Sequence, residues 1–207
     1  FLDQFTVAMR NKFFNFLFIE SAISGKLFFP GVFWEKLPAA KTLDFLGINY
    51  YTRDFIRFAG LNREKIFGTS CPKDHHAGEV KELNTMGWEV YPDGIYYLLK
   101  RLARYGLPII ITENGICTED DSQRVRFIQN HLASVQRARQ EGVPVFGYLY
   151  WSLLDNFEWD SGYGPKFGIV GMDAENQQRK IKESAQVLGE ICRKLFGGGS
   201  DYANRSV

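Results

Sequence analysis

The apolar positions of the chain follow two spacings, one typical of buried strands and one typical of amphipathic helices. Near-continuous apolar runs predict three strands, at residues 43–51, 107–112 and 143–150. Pro92 and Gly106 bracket one helix, and Ser122 is predicted to cap a longer helix that stops at Gly142. With further helices at the two ends, the predicted order is helix, strand, loop, helix, strand, helix, strand, long loop, helix.

The faces of these elements follow from their periods. The helical stripes are, in chain order, Phe5, Met9, Phe13 and Phe16; Ile95, Leu98, Leu99 and Leu102; Val125, Ile128, Leu132 and Val135; and Ile181, Ser184, Leu188, Ile191 and Leu195. In the first strand, Phe45, Gly47, Asn49 and Tyr51 share one face, opposite Leu46, Ile48 and Tyr50.

Strands that alternate with helices of this length predict parallel β/α units and an α/β fold class. Three strands alone would leave two open edges, whereas eight units close into a (β/α)8 TIM barrel. The apolar face of the first helix also lacks a partner in the sequence. We therefore expect the chain to dock against a complementary barrel segment or an identical copy.

Composition narrows the function. The chain has 25 Lys and Arg against 24 Asp and Glu, so neither nucleic acid nor a membrane surface is an expected partner. No apolar run is long enough for a membrane span or a signal peptide. Three widely spaced cysteines predict free thiols, and with them a cytoplasmic location. Residues 197–207 have the composition of a flexible tail, after a domain over residues 1–196.

A carboxylate, Glu113, lies where the second strand ends and a glycine-containing loop begins. In a barrel this rim holds the reacting groups. Strict alternation places Ile109, Ile111 and Glu113 on one face, toward the barrel axis. Asn49 and Tyr51 reach the same rim from the first strand, and a phenol can donate to a carboxylate and steady its charge. An isolated Glu at a strand end is more often a surface charge, but this neighbourhood favours chemistry.

The end of the third strand has the composition of a sugar-binding site. Trp151 and Trp159 flank Glu158. Aromatic faces stack on pyranose rings, and carboxylates accept hydrogen bonds from vicinal hydroxyls. Each residue alone could be a core aromatic or a surface charge. Their clustering near Glu113 favours a binding site.

Three motifs carry a resemblance to a known family. Thr-Glu-Asn-Gly at residues 112–115, Gly-Ile-Asn-Tyr-Tyr-Thr at 47–52 and Trp-Ser-Leu-Leu-Asp-Asn-Phe-Glu-Trp at 151–159 resemble glycoside hydrolase family 1, the β-glucosidase family, in order and spacing. The resemblance implies strands six to eight of the barrel and a retaining β-glycosidase acting on β-glycosides or oligosaccharides without metal or organic cofactor. For catalysis, it implies the nucleophile at Glu113, its phenol partner at Tyr51 and an active-site amide at Asn49. For sugar binding, it implies a platform at Trp151, contacts to sugar hydroxyls from the carboxylate of Glu158 and the indole of Trp159, and an aromatic wall at Phe167.

The sequence departs from the family in one important respect. A retaining glycosidase needs a second carboxylate roughly 5–5.5 Å from the nucleophile. The family takes it from an Asn-Glu-Pro motif, which this sequence lacks. Alone, the chain is not expected to turn over substrate. It needs a complementary N-terminal barrel segment, and the competing hypothesis is a non-catalytic sugar-binding or half-barrel folding fragment. A smaller departure, Lys166 where many members have Arg, is expected to matter little.

Overall fold

The computed structural model describes residues 1–29, 31, 33–62, 65–173 and 175–196. The helices are α1 (Leu2–Asn11), α2 (Leu17–Ser24), α3 (Pro92–Leu102), α4 (Asp121–Gln140) and α5 (Glu183–Phe196). The strands are β1 (Lys26–Phe29), β2 (Phe33–Lys36), β3 (Leu46–Asn49), β4 (Ile56–Arg57), β5 (Thr69–Ser70), β6 (Ile109–Asn114), β7 (Val145–Tyr150), β8 (Val170–Met172) and β9 (Arg179–Ile181). The tail predicted for residues 197–207 lies outside the described residues.

The chain divides into two compact units. The first unit comprises Phe1–Leu46, Arg53–Lys81 and Gly106–Pro108, and the second comprises Gly47–Thr52, Glu82–Tyr105 and the chain from Ile109 onward. In neither unit do the described residues include a helix with the length and apolar character needed to cross a membrane.

The first unit is built on α1 and α2, which are joined by one π-helical segment, Lys12–Phe16. A π turn rotates the residues that follow it relative to a continuous α-helix. The predicted stripe is therefore only partly correct: Phe16 is buried, but Phe5 is exposed. The ring of Phe13 also packs at 4.8 Å, between centroids, from Phe67 of the same chain, so part of this face has an internal partner.

The second unit contains a three-stranded sheet in the order β3-β6-β7, in which β6 and β7 run parallel. The three predicted strands are thus confirmed as neighbours, although each is shorter or shifted. Strands β6 and β7 begin directly after Pro108 and Pro144, each of which can accept but not donate a main-chain hydrogen bond.

Strand β3 shows the predicted alternation. Ile48 and the adjacent Tyr50 are buried, whereas Gly47 and Asn49 are exposed. The buried ring of Tyr50 lies 6.1 Å, between centroids, from the ring of His131 in α4, and the exposed set includes the predicted active-site amide, Asn49. The period-2 prediction for this strand is confirmed.

Helix α3 packs against α4, which packs against α5. The stripe of α3 is confirmed, with Ile95, Leu99 and Leu102 buried. The N-cap of α4 is Asp120, whose carboxylate accepts from the amide of Ser122, so the capping prediction for Ser122 is wrong.

The buried face of α4 is also wider than predicted. It includes Arg124, Phe127 and His131 as well as the expected Ile128 and Val135. The last helix begins at Glu183, so Ile181 does not start its stripe. That residue lies in β9, which pairs antiparallel with β8, and it is exposed.

Candidate active site

Glu113 is the next-to-last residue of β6, in the part of the strand where the pairing with β7 becomes irregular. The register with β7 shifts between Ile111 and Asn114. Ile109 and Ile111 are wholly buried, whereas the Thr112 hydroxyl lies 2.7 Å from Oδ1 of Asn49 on the exposed face. The expectation that Ile109 and Ile111 share a face with Glu113 is therefore wrong. The irregularity turns Thr112 and Glu113 together toward the side chains of Asn49 and Tyr51.

The carboxylate of Glu113 has a phenol partner. The Tyr51 hydroxyl donates to Oε2 of Glu113 over 2.7 Å. Burial, followed by this hydrogen bond and the charges of Glu113 and Glu158, raises the pKa of the Tyr51 phenol. Tyr51 therefore stays protonated at neutral pH and remains a donor. The main chain reinforces the pair, because the amide of Tyr50 donates to the carbonyl of Glu113 over 2.9 Å.

Aromatic rings enclose the same corner. The Phe167 ring is buried and lies edge-on to Tyr51, with 6.2 Å between centroids. Trp88 contacts both, at 5.8 Å from Tyr51 and 6.2 Å from Phe167. Trp88 was not among the predicted site residues. It lies in the polar loop over residues 60–90, where it is the one tryptophan, and that large aromatic side chain is a signal that could have singled it out.

The loop after β7 contributes the remaining predicted residues in different ways. Glu158 is close enough for its charge to act on the Tyr51 phenol. Trp151 meets the nucleophile strand through its backbone: its amide donates to the carbonyl of Asn114 over 3.0 Å. A Cβ at Gly115 would lie 1.7 Å from the Trp151 carbonyl oxygen, so only glycine allows this approach.

Trp159 differs from the others. Its side chain is 81% exposed, and the described contacts do not bring it against Glu113 or Tyr51. Its backbone has φ of 44°, a left-handed conformation that strains a bulky residue. The structure thus brings Glu113, Tyr51 and Phe167 together, within reach of the charge of Glu158. Asn49 and the backbone of Trp151 lie beside them. The indole of Trp159 is exposed to solvent.

The base of this loop is held by two cations, one partly buried and one fully buried. The ammonium of Lys182 lies 3.3 Å from Asp155 and donates to the Gly168 carbonyl over 2.6 Å. The guanidinium of Arg124, which is 0% exposed, donates to the carbonyls of Thr118 and Lys166. These contacts fix the main chain on both sides of Phe167. The Lys166 ammonium donates to the carbonyl of Tyr163, 2.8 Å away.

The described residues contain no group of three or more His, Cys, Asp or Glu side chains able to hold a metal ion. Cys71, Cys117 and Cys192 are free thiols. The chemistry available at this corner is that of a carboxylate, a phenol and aromatic rings.

Comparison with known proteins gives a consistent answer. The model of the family described as Glycosyl hydrolase family 1 matches residues 19–195. A beta-galactosidase of Sulfolobus acidocaldarius is 36% identical over 92% of this chain and 39% of its own length. A beta-glucosidase A of Thermotoga maritima is 38% identical over 73% of this chain and 34% of its own length.

Structural comparison agrees. A beta-glycosidase from Pyrococcus horikoshii superimposes with a TM-score of 0.80 at 42% identity, over 88% of this chain and 42% of that protein. The likeness supports the predicted (β/α)8-barrel fold class. The chain spans about two fifths of the length of the relatives that it matches.

Proposed function

Since the chain belongs to glycosyl hydrolase family 1, we propose that it forms the nucleophile side of a retaining β-glycosidase active site. In this proposal β3, β6 and β7 are strands six, seven and eight of the barrel. The observation that carries the proposal is the pair at the strand ends, in which the Tyr51 hydroxyl donates to Glu113 over 2.7 Å. A carboxylate aimed by a phenol donor at a barrel rim is what nucleophilic glycoside cleavage requires.

The reaction follows from this geometry. One oxygen of Glu113 accepts from Tyr51, which leaves the other free to attack the anomeric carbon of a β-glycoside. The bond from that carbon to the aglycone oxygen breaks as a carboxylic acid gives the leaving oxygen its proton. The acid, now a carboxylate, then takes a proton from a water molecule. The oxygen of that water attacks the anomeric carbon, the bond to Glu113 breaks, and Glu113 is released as a carboxylate.

The remaining predicted residues would bind the sugar. Phe167 provides a buried aromatic wall next to Tyr51. Trp151 is proposed as the platform beneath the pyranose, Asn49 as an amide at the rim, and Glu158 and Trp159 as partners of its hydroxyls. The exposure of the Trp159 indole leaves it available for such a contact.

The general acid is proposed to come from outside this sequence. The sequence contains no Asn-Glu-Pro motif, and the relatives are more than twice as long. Exposed apolar residues of β7, Phe146 and Leu149, are consistent with a further barrel segment against this sheet. We call the combination of this chain with a segment that supplies the first part of the barrel the assembled enzyme.

Covalent trapping tests the proposal. The assembled enzyme, treated with a 2-deoxy-2-fluoro β-glycoside that has a good leaving group, should gain one glycosyl mass, and peptide mapping should place it on Glu113. Glu113→Gln should abolish labelling. The matched control is Glu119→Gln, an exposed carboxylate in the loop that follows β6, which should label normally.

The chain without its companion should label slowly or not at all, because it lacks the acid and the half of the sugar site that the companion would supply. Label on another carboxylate of the assembled enzyme would refute the role given to Glu113. Binding of a monosaccharide inhibitor with no labelling would favour instead the non-catalytic sugar-binding fragment.

A further inference from the structure

A single amide side chain connects the ends of all three strands of the sheet in the second unit. Asn114, the last residue of β6, is 0% exposed. Its Nδ2 donates to the carbonyl of Tyr50, at the end of β3, over 2.7 Å. Its Oδ1 accepts from the Tyr148 hydroxyl of β7 over 2.8 Å, and its main-chain carbonyl accepts from the amide of Trp151.

The chemistry of these partners fixes the orientation of the amide. The Tyr50 carbonyl can only accept, so the group facing it must be the NH2 of Asn114. The Oδ1 of the amide therefore faces Tyr148, and the phenol must be the donor. Burial raises the pKa of the Tyr148 phenol, so it keeps its proton throughout the working pH range. An aspartate has the same shape but cannot replace this donor and acceptor pair.

The residues tied by this amide directly flank the proposed site. Tyr50 precedes the phenol donor, and Asn114 follows the nucleophile. Trp151, the proposed sugar platform, is joined through the main-chain carbonyl of Asn114 and not through its side chain. We propose that Asn114 is a positioning residue, which sets the placement of the Tyr51 phenol relative to Glu113 without touching substrate. The inference rests on the proposed function, because it assigns Asn114 a purpose in that reaction.

The position of Tyr148 provides a test that leaves the site itself intact. Tyr148→Phe removes one hydroxyl, and with it the hydrogen bond that holds the Asn114 amide from the β7 side. If Asn114 acts through the Tyr51–Glu113 pair, the change should lower kcat by about fivefold, the worth of one neutral hydrogen bond, and leave KM nearly unchanged. Asn114→Asp should lower kcat by more than about tenfold, because the side chain can no longer donate to the Tyr50 carbonyl.

A double-mutant cycle on the assembled enzyme, with an aryl β-glycoside as substrate, separates positioning from general stability. In a Tyr51→Phe background, Tyr148→Phe should lower kcat by less than about twofold, because the hydrogen bond from Tyr51 to Glu113 that it supports is already absent. The control is Tyr96→Phe, which removes another tyrosine hydroxyl bond, to Glu141 on the surface, and should change neither kcat nor KM. Fully multiplicative effects in the cycle would overturn the inference.

A spectroscopic readout decides the inference even if the assembled enzyme proves inactive and the proposed function fails. With 3-fluorotyrosine incorporated, the 19F resonance of Tyr51 can be assigned by its loss in Tyr51→Phe. Tyr148→Phe and Asn114→Asp should each shift or broaden that resonance, and Tyr96→Phe should not. A Tyr51 resonance that stays in place in Tyr148→Phe, with the protein folded, would show that Asn114 does not position this phenol.

Discussion

Acid should destabilise the fold through one histidine of α4. His131 is fully buried, and its ring stacks on Phe127 with 3.8 Å between centroids. Its Nδ1 lies 2.9 Å from the Phe127 carbonyl, which can only accept, so Nδ1 carries the hydrogen. The Nε2 atom has no hydrogen-bond partner among the described residues. A proton added there would place an unpaired charge inside the core.

The size of the effect follows from the burial of this ring. Burial lowers the pKa of His131 from 6.5 to about 4. Because the folded pKa lies below the unfolded value, the unfolded state binds the proton more tightly, and acid favours unfolding. The contribution is fully present above the unfolded pKa and is lost as the pH falls toward 4. The pKa difference between the unfolded and folded states corresponds to a loss of about 3 kcal/mol in the free energy of unfolding.

Urea unfolding of the assembled enzyme between about pH 7 and pH 4.5 measures this loss, with His131→Asn as the comparison. Asparagine can keep a donor toward the Phe127 carbonyl but does not titrate. The variant should be less stable at neutral pH, since ring packing is lost, yet its deficit should shrink as the pH falls. If both proteins lose the same free energy of unfolding across this range, another group is responsible and the reasoning fails.

Three further outcomes are expected. Glu158→Ala should weaken a monosaccharide-type inhibitor by about 1.5–3 kcal/mol in titration calorimetry of the assembled enzyme, and unchanged affinity would remove Glu158 from the sugar site. Arg124→Met removes the donor to the Thr118 carbonyl, one of two donors to the Lys166 carbonyl and the cation beside Asp121. It should lower the free energy of unfolding by about 2 kcal/mol or more, whereas the exposed neighbour Arg126→Met should cost less than about 0.5 kcal/mol; equal losses would contradict the buried role. Lys182→Met should speed hydrogen exchange at the amide of Gly168, and unaltered exchange would show that this ammonium does not hold the loop.

The parts of the fold that sequence could predict are those dictated by regular geometry. The alternation of β3 follows from the pleat, and the buried stripe of α3 follows from the helical repeat, so Ile48 and Ile95 were placed correctly. The identity of the capping residue of α4 could not be settled in this way, because Asp120 and Ser122 are both good caps. The π segment after α1 likewise leaves no distinct mark in the spacing.

The candidate site shows the same division. Strict alternation put Glu113 on the face of Ile111, and the break in register before Asn114 reversed that relation. Such irregularities depend on the neighbouring strands, which a single strand's period does not contain. Trp88 joins the aromatic wall only through tertiary contacts. The catalytic and sugar-binding roles of the named residues stay predictions until trapping and calorimetry test them.

The clamped base of the loop after β7 has a thermodynamic consequence. Asp155, Gly168 and Lys182 hold one another, and a Cβ at Gly168 would lie 2.2 Å from the Asp155 nitrogen, so the two arms of the loop meet in direct contact. The amide of Ile169 also donates to the carbonyl of Ser152, which extends the contact between the two arms. At the proposed sugar site, a loop already ordered in this way would lose little conformational entropy on binding, so less of the free energy gained from each new hydrogen bond would be offset.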